Sequence, residues 1–238
     1  MKGIVVREAF ERELAGIQAL LTELAVGAGA AMKTATHAML EADRDAAQAV
    51  IDGDDDLDDL TGQIEYACYE AVARQQPVAR DLRLVVSAMQ ISSSLERMGD
   101  LADHVAKQAV MRHPRSSIPE EVRPMFALMG GVADGMATRT AALLNTPTVA
   151  EASRILAMDD EMDKIHRDLF ALVLAPSWTH GVQAAIDTTL MSRYYERYAD
   201  HSVTVARRVI QLVTGQAFSD TGIGNHPATA RPTEGSPG

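Results

Sequence analysis

The sequence predicts an all-α protein organised as two tandem repeats of three helices, six in total. Three observations predict it. Apolar residues recur at helical spacing with almost no strand-like alternation. The run Glu96-Arg97-Met98-Gly99-Asp100 returns one hundred residues later as Glu196-Arg197-Tyr198-Ala199-Asp200. An acidic segment, 54–60, lies over 159–165 at an offset of 105, carboxylate on carboxylate at 54, 55, 56 and 58 and apolar on apolar at 57 and 60.

The elements follow in order. Phe10, Leu14, Ile17, Leu20, Leu21, Leu24 and Val26 mark a long first helix over about 7–42. A second is expected from Asp43 to Arg74, stopped by Gln75-Gln76-Pro77. Pro77 suits the first position of a third helix that reaches Met111. The stretch 113–119, with two prolines, is a linker. The second repeat is expected to place helices at about 120–144, 147–174 and 182–214. The repeats therefore divide as 1–114 and 115–214, and 215–238, rich in Gly, Pro, Ser and Thr, reads as a disordered tail.

Composition restricts function. The 238 residues carry a net charge of -11, which disfavours nucleic acid and anionic membrane surfaces, both of which need clustered Lys and Arg. Apolar residues reach 47% but aromatics only 4%, as suits helices packed through Ala, Leu, Met and Val. The single cysteine, Cys68, rules out an intrachain disulfide, fits a reducing compartment and reads as a small buried helix residue. The N-terminal segment lacks a signal-peptide core, and no uncharged apolar run of about eighteen residues is present. The expectation is a soluble, cytoplasmic protein.

The acidic motifs carry the functional signal. Glu96 and Asp100, four residues apart, share one side of a helix, as do Glu196 and Asp200. If the second and third helices form a hairpin about Pro77, positions whose numbers sum to 154 stand opposite one another, which pairs Asp58 with Glu96 and Asp54 with Asp100. In the second repeat Asp163 with Glu196 and Asp159 with Asp200 both sum to 359, which puts that turn near Thr179-His180-Gly181. Four carboxylates at one level repel unless a cation relieves them, and hard cations prefer such oxygen ligands. His104 and His201 stand beside the two sets as candidate nitrogen ligands. Arg97 and Arg197 supply a competing account, in which the acids are only salt-bridged. Asp55, Asp56 and Asp59 read as a solvated helix start, and Arg80, Asp81 and Arg83 as a capped, salt-bridged one or an anion- or partner-binding site.

These residues resemble the PhoU family of bacterial phosphate-uptake regulators. The resemblance rests on residues 50–54, on Gln75-Gln76-Pro77-Val78-Ala79-Arg80-Asp81-Leu82-Arg83 and on both Glu-Arg motifs, and it runs from about 7 to 214. It implies two three-helix bundles related by a pseudo-twofold axis, commonly dimeric. It also implies divalent or trivalent metal ions (iron, zinc, manganese or magnesium) at Asp54, Asp58, Glu96, Asp100, Asp159, Asp163, Glu196 and Asp200. The implied role is not catalytic: it is to link the phosphate ABC transporter ATPase to a sensor histidine kinase and damp the starvation response when phosphate is plentiful. Tyr195 and Tyr198-Ala199 depart from the family's usual aliphatic-Gly pattern.

Two alternatives remain. Di-metal carboxylate oxidases also use helical bundles, but they pair Glu with Glu-x-x-His, and only Asp163-Lys164-Ile165-His166 approaches that here. A metal-free helical adaptor is the other.

Overall fold

The computed structural model describes the backbone of residues 2–215 and side chains from Phe10 onward. The tail expected at 215–238 lies, from 216 on, outside the described residues. The helices are α1 (Lys2–Glu41), α2 (Arg44–Asp52), α3 (Asp54–Gln75), α4 (Arg80–Arg112), α5 (Arg123–Asn145), α6 (Val149–Val173) and α7 (Gly181–Thr214), with a short 3-10 turn at Glu120–Val122 before α5. Among the described residues there is no strand.

The helix expected over 43–74 is two. Asp43 caps α2 by accepting hydrogen bonds from the amides of Asp45 and Ala46. Gly53 then ends α2, and the acids Asp54, Asp55 and Asp56 fill the first turn of α3, where they complement the helix dipole. The start of α4 also differs from expectation. Gln76 is left-handed (φ 47°) and Ala79 takes φ 51° and ψ -109°, so α4 begins at Arg80 rather than Pro77. No side chain caps it, and among the described residues neither Arg80 nor Arg83 makes the salt bridge expected there.

α1 is the spine. Ile17, Leu21, Leu24, Ala28, Met32, Ala35 and Met39 form a buried stripe at helical spacing, packed against α4 and α5. Val26, expected in that stripe, is 58% exposed. By length and composition alone Phe10–Glu41 is long and apolar enough to cross a membrane; its stripe here packs within the bundle. Gly29 and Gly130 let α1 and α5 approach: a Cβ on Gly29 would stand 2.8 Å from the Ala137 Cβ, and one on Gly130 2.4 Å from the Thr36 Cγ2.

Within each repeat α3 lies on α4 and α6 on α7. The repeats join through α1 against α5 and α4 against α7, around one continuous core. α4 and α7 run antiparallel, since Arg112 meets Asp187, His104 meets Tyr194 and Met98 meets Ser202. The centre of this crossing lies where the two Glu-Arg motifs sit.

Candidate metal centre

The motif's small residue sets the α3–α4 approach. A Cβ at Gly99 would stand 2.8 Å from one Leu57 methyl and 3.8 Å from Asp54 Oδ1. The other Leu57 methyl would stand 2.7 Å from a Cβ at Gly27. Leu57 is thus clamped between α1 and α4, and this seats the α3 acids against the α4 motif. In the second repeat Met162 takes the Leu57 place and Ala199 the Gly99 place, both fully buried.

The carboxylates paired by hairpin spacing do interact. Asp54 is pushed up to about 6 by burial and by the charges of Asp103, Asp100 and Asp58. Glu96 is raised by burial and then by Asp100 and Asp58. In the second repeat Asp159 is pushed up to about 6 by burial, Asp163, Asp200 and Asp160. Glu196 is raised by burial, Asp200 and Asp163. All eight predicted carboxylates therefore fall into two sets, one per hairpin.

Partial neutralisation is built in. Arg97 Nη1 donates to Asp100 Oδ2 at 2.6 Å. In the second repeat Arg193, not Arg197, pairs with Glu196, and Arg167 lies 3.6 Å from Asp163. Asp103, unremarked as a ligand in the sequence, is 3% exposed and joins the first set. Its Oδ2 pairs with Lys107 Nζ at 2.5 Å, while its Oδ1 is buried without a hydrogen-bond partner. The clue was spacing: Asp103 lies seven residues past Glu96, on the same helix face. The position one hundred residues on is Val203, so the two sets are unequal. Five carboxylates face Arg97 and Lys107 in the first. Arg167, Arg193 and Arg207 offset Asp159, Asp160, Asp163, Glu196 and Asp200 in the second.

The histidines separate. The exposed His104 stacks on Tyr194 with ring centroids 5.2 Å apart. The half-buried His201 is lowered by desolvation, then by Arg197, and feels Asp200, Arg97 and Asp100 too, so it sits between the two motifs. The departures at 195 and 198 are core anchors. Tyr195 shares a 2.7 Å hydrogen bond with Thr36 of α1, and the Tyr198 hydroxyl donates to the Ala28 carbonyl at 3.3 Å. Cys68 is buried, and burial pushes its thiol up to about 11.

Among the described residues no three His, Cys, Asp or Glu side chains stand at ready-made metal-ligand spacing. The donor chemistry nevertheless fits a hard cation. Each set is all oxygen and over-charged, and the first holds the orphaned buried Asp103 Oδ1. A cation would compete with the arginine pairs for Asp100 and Glu196.

Fold and site define a class: duplicated helical bundles with one acidic set on each repeat's second hairpin. A family model, the PhoU domain, matches residues 21–109 and again 126–209. The chain belongs to the PhoU family. Over 209 residues it is 44% identical to the "Phosphate-specific transport system accessory protein PhoU homolog 2" of Mycobacterium tuberculosis, covering 88% of this chain and 98% of that one. It is 42% identical over 214 residues to PhoU homolog 1 of Mycobacterium leprae, covering 90% and 96%. The crystal structure of the phosphate transport system regulatory protein PhoU from Streptococcus pneumoniae shares the fold, with a TM-score of 0.78 at 24% identity over 87% of this chain and 98% of that one.

Proposed function

We propose that this protein is the accessory subunit of a phosphate-specific transport system: a cytoplasmic, homodimeric, non-enzymatic adaptor. It couples the transporter ATPase to the phosphate-sensing histidine kinase and represses the starvation response when phosphate is abundant. The observation that carries the reading is near-full-length similarity to relatives named as accessory proteins of that system. Deleting the gene should raise phosphate-starvation gene expression in phosphate-rich medium, and an unchanged response would sink the reading.

The acidic sets serve as cation sites, held by Asp54, Asp58, Glu96 and Asp100 in one and Asp159, Asp163, Glu196 and Asp200 in the other. A bound cation supplies charge compensation and a cross-link between adjacent helices. Asp103 joins the first set through its buried, unpartnered oxygen. The excess of carboxylates over cationic side chains supports occupancy of the first set before the second. Elemental analysis of protein purified without a metal-affinity tag tests this. Less than about one equivalent of metal, with no thermal stabilisation by added divalent ions, would favour the arginine-paired, metal-free adaptor. A redox enzyme would instead bleach and turn over oxygen when loaded with iron.

A further inference from the structure

The motif at the α3–α4 turn is not absorbed by the acidic sites. Its residues are turned outward: Val78 is 75% exposed, and Leu82 and Val86, one helical turn apart on α4, are 41% and 44% exposed. Beside them stand the exposed Arg80 and Arg83. Neither guanidinium has a hydrogen-bond or ion-pair partner among the described residues, and Asp81 between them pairs with neither. Two cations without a partner among the described residues thus stand beside an apolar stripe on one turn. Ala79, which carries the chain into this surface, holds a positive φ of 51° with ψ -109°, a conformation costly for a residue with a Cβ.

The molecule contains its own control. At the α6–α7 turn Val182 and Ile186 occupy the places of Leu82 and Val86 and are also exposed, at the same offset of one hundred. There, however, the place of Arg80 is held by His180, whose Nε2 lies 2.9 Å from Glu121 Oε2. The place of Arg83 is held by Gln183, which donates to Asp187 at 3.1 Å. The fold therefore tolerates this turn with its polar positions satisfied internally. Free arginines at the first turn are not a requirement of folding, and their chemistry points outward. Because α4 and α7 are antiparallel, the two turns lie at opposite ends of the molecule.

We propose that the α3–α4 turn is a docking surface for an acidic amphipathic helix of a partner protein. The partner's apolar face covers Val78, Leu82 and Val86, and its flanking carboxylates pair with Arg80 and Arg83, an arrangement in which guanidinium–carboxylate geometry supplies specificity. The α6–α7 turn, lacking free cations, does not take this partner. The proposal deepens the adaptor reading and rests on it.

The test uses the full chain against the purified transporter ATPase and the cytoplasmic part of the sensor kinase, with affinity measured by titration at several salt concentrations. The expected result is that at least one of them binds the wild-type chain. The charge reversal R80E/R83E should then weaken binding about tenfold or more and flatten its salt dependence. L82A should weaken it without changing the salt slope, and V182A/I186A should leave it intact. Circular dichroism of each variant checks folding; these positions are exposed, and Lys at both arginines should restore part of the binding if charge is what matters. Binding by R80E/R83E equal to wild type would overturn the docking surface and leave the adaptor reading standing. Failure of the wild-type chain to bind either protein would overturn both. Loss of self-association by R80E/R83E, with partner binding unchanged, would show that the surface pairs two copies of this chain and overturn the proposal.

Discussion

At the scale of single residues the protein stores unfavourable charge. Asp54 and Asp159 each ionise near 6 in the fold against an ordinary value of 3.8. A carboxyl raised in this way keeps its proton in the native state after the unfolded chain has lost it. Its contribution is therefore fully favourable below about 4 and is lost as pH rises to about 6. The double variant Asp54→Asn/Asp159→Asn removes both groups. In the absence of metal its melting temperature should exceed wild type at pH 7 and the difference should vanish near pH 4; a constant difference would mean that mutual repulsion is not its origin. Divalent cations should reverse the order, stabilising wild type at pH 7 more than the variant and losing effect near pH 5, where protons compete for the oxygens. These acids were legible from the sequence because i, i+4 spacing and hairpin spacing are fixed by backbone geometry. Their partners were less so. Arginine side chains are long enough to reach in several directions, so Glu196 pairs with Arg193 on the preceding turn and not with Arg197. Asp103 was hidden because its burial depends on the packing of α4 against its neighbours rather than on α4 alone.

At the scale of elements, two glycines and a leucine decide whether a hairpin becomes a site. Leu57 rests its methyls against Gly27 and Gly99, so neither glycine gains a Cβ without pushing Leu57 into the other. Gly99→Ala should cost about 1–3 kcal/mol despite the better helix propensity of alanine, the usual magnitude for overpacking a tight core contact. In a Leu57→Ala background the same change should be neutral or stabilising, because the clash is gone and the propensity gain of about 1 kcal/mol remains. Chemical denaturation of the four proteins in this cycle measures the coupling; additive effects would show that α3 and α4 do not depend on this contact for their spacing. Helix existence and order were readable from periodicity. Two boundaries were not. Gly53, where the break falls, itself stays in the right-handed region at φ -88° and ψ -3°. The start of α4 depends on the positive φ values of Gln76 and Ala79, which nothing in their side chains demands.

At the scale of the whole molecule the two repeats share one continuous core. Sequence repeats suggest two modules, yet α1 of the first repeat packs on α5 of the second, and α4 packs on α7. Polar contacts reinforce the join. Gln18 of α1 donates to the Leu144 carbonyl at the end of α5 at 2.7 Å. Asp187, 4% exposed on α7, accepts from Gln108 at 2.8 Å and from Arg112 at 2.9 Å, both on α4. A buried carboxylate held by donors from the other repeat is costly to orphan, because either half alone would leave its charge or its donors unmatched. Neither half can therefore melt without exposing the apolar face of α1 or α4 that the other covers. Calorimetry of the metal-free chain should show one transition, with calorimetric and van't Hoff enthalpies in agreement. Asp187→Ala should lower that transition by about 5 °C or more, on the scale that relates stability to melting temperature for a chain of this length. It should do so without splitting the peak, since the apolar contacts between repeats persist. Two resolved transitions in the wild-type chain would mean that the repeats are separable domains. A cation proposed for one hairpin would then stabilise its own repeat alone, whereas in a single transition it would raise the melting temperature of the whole chain.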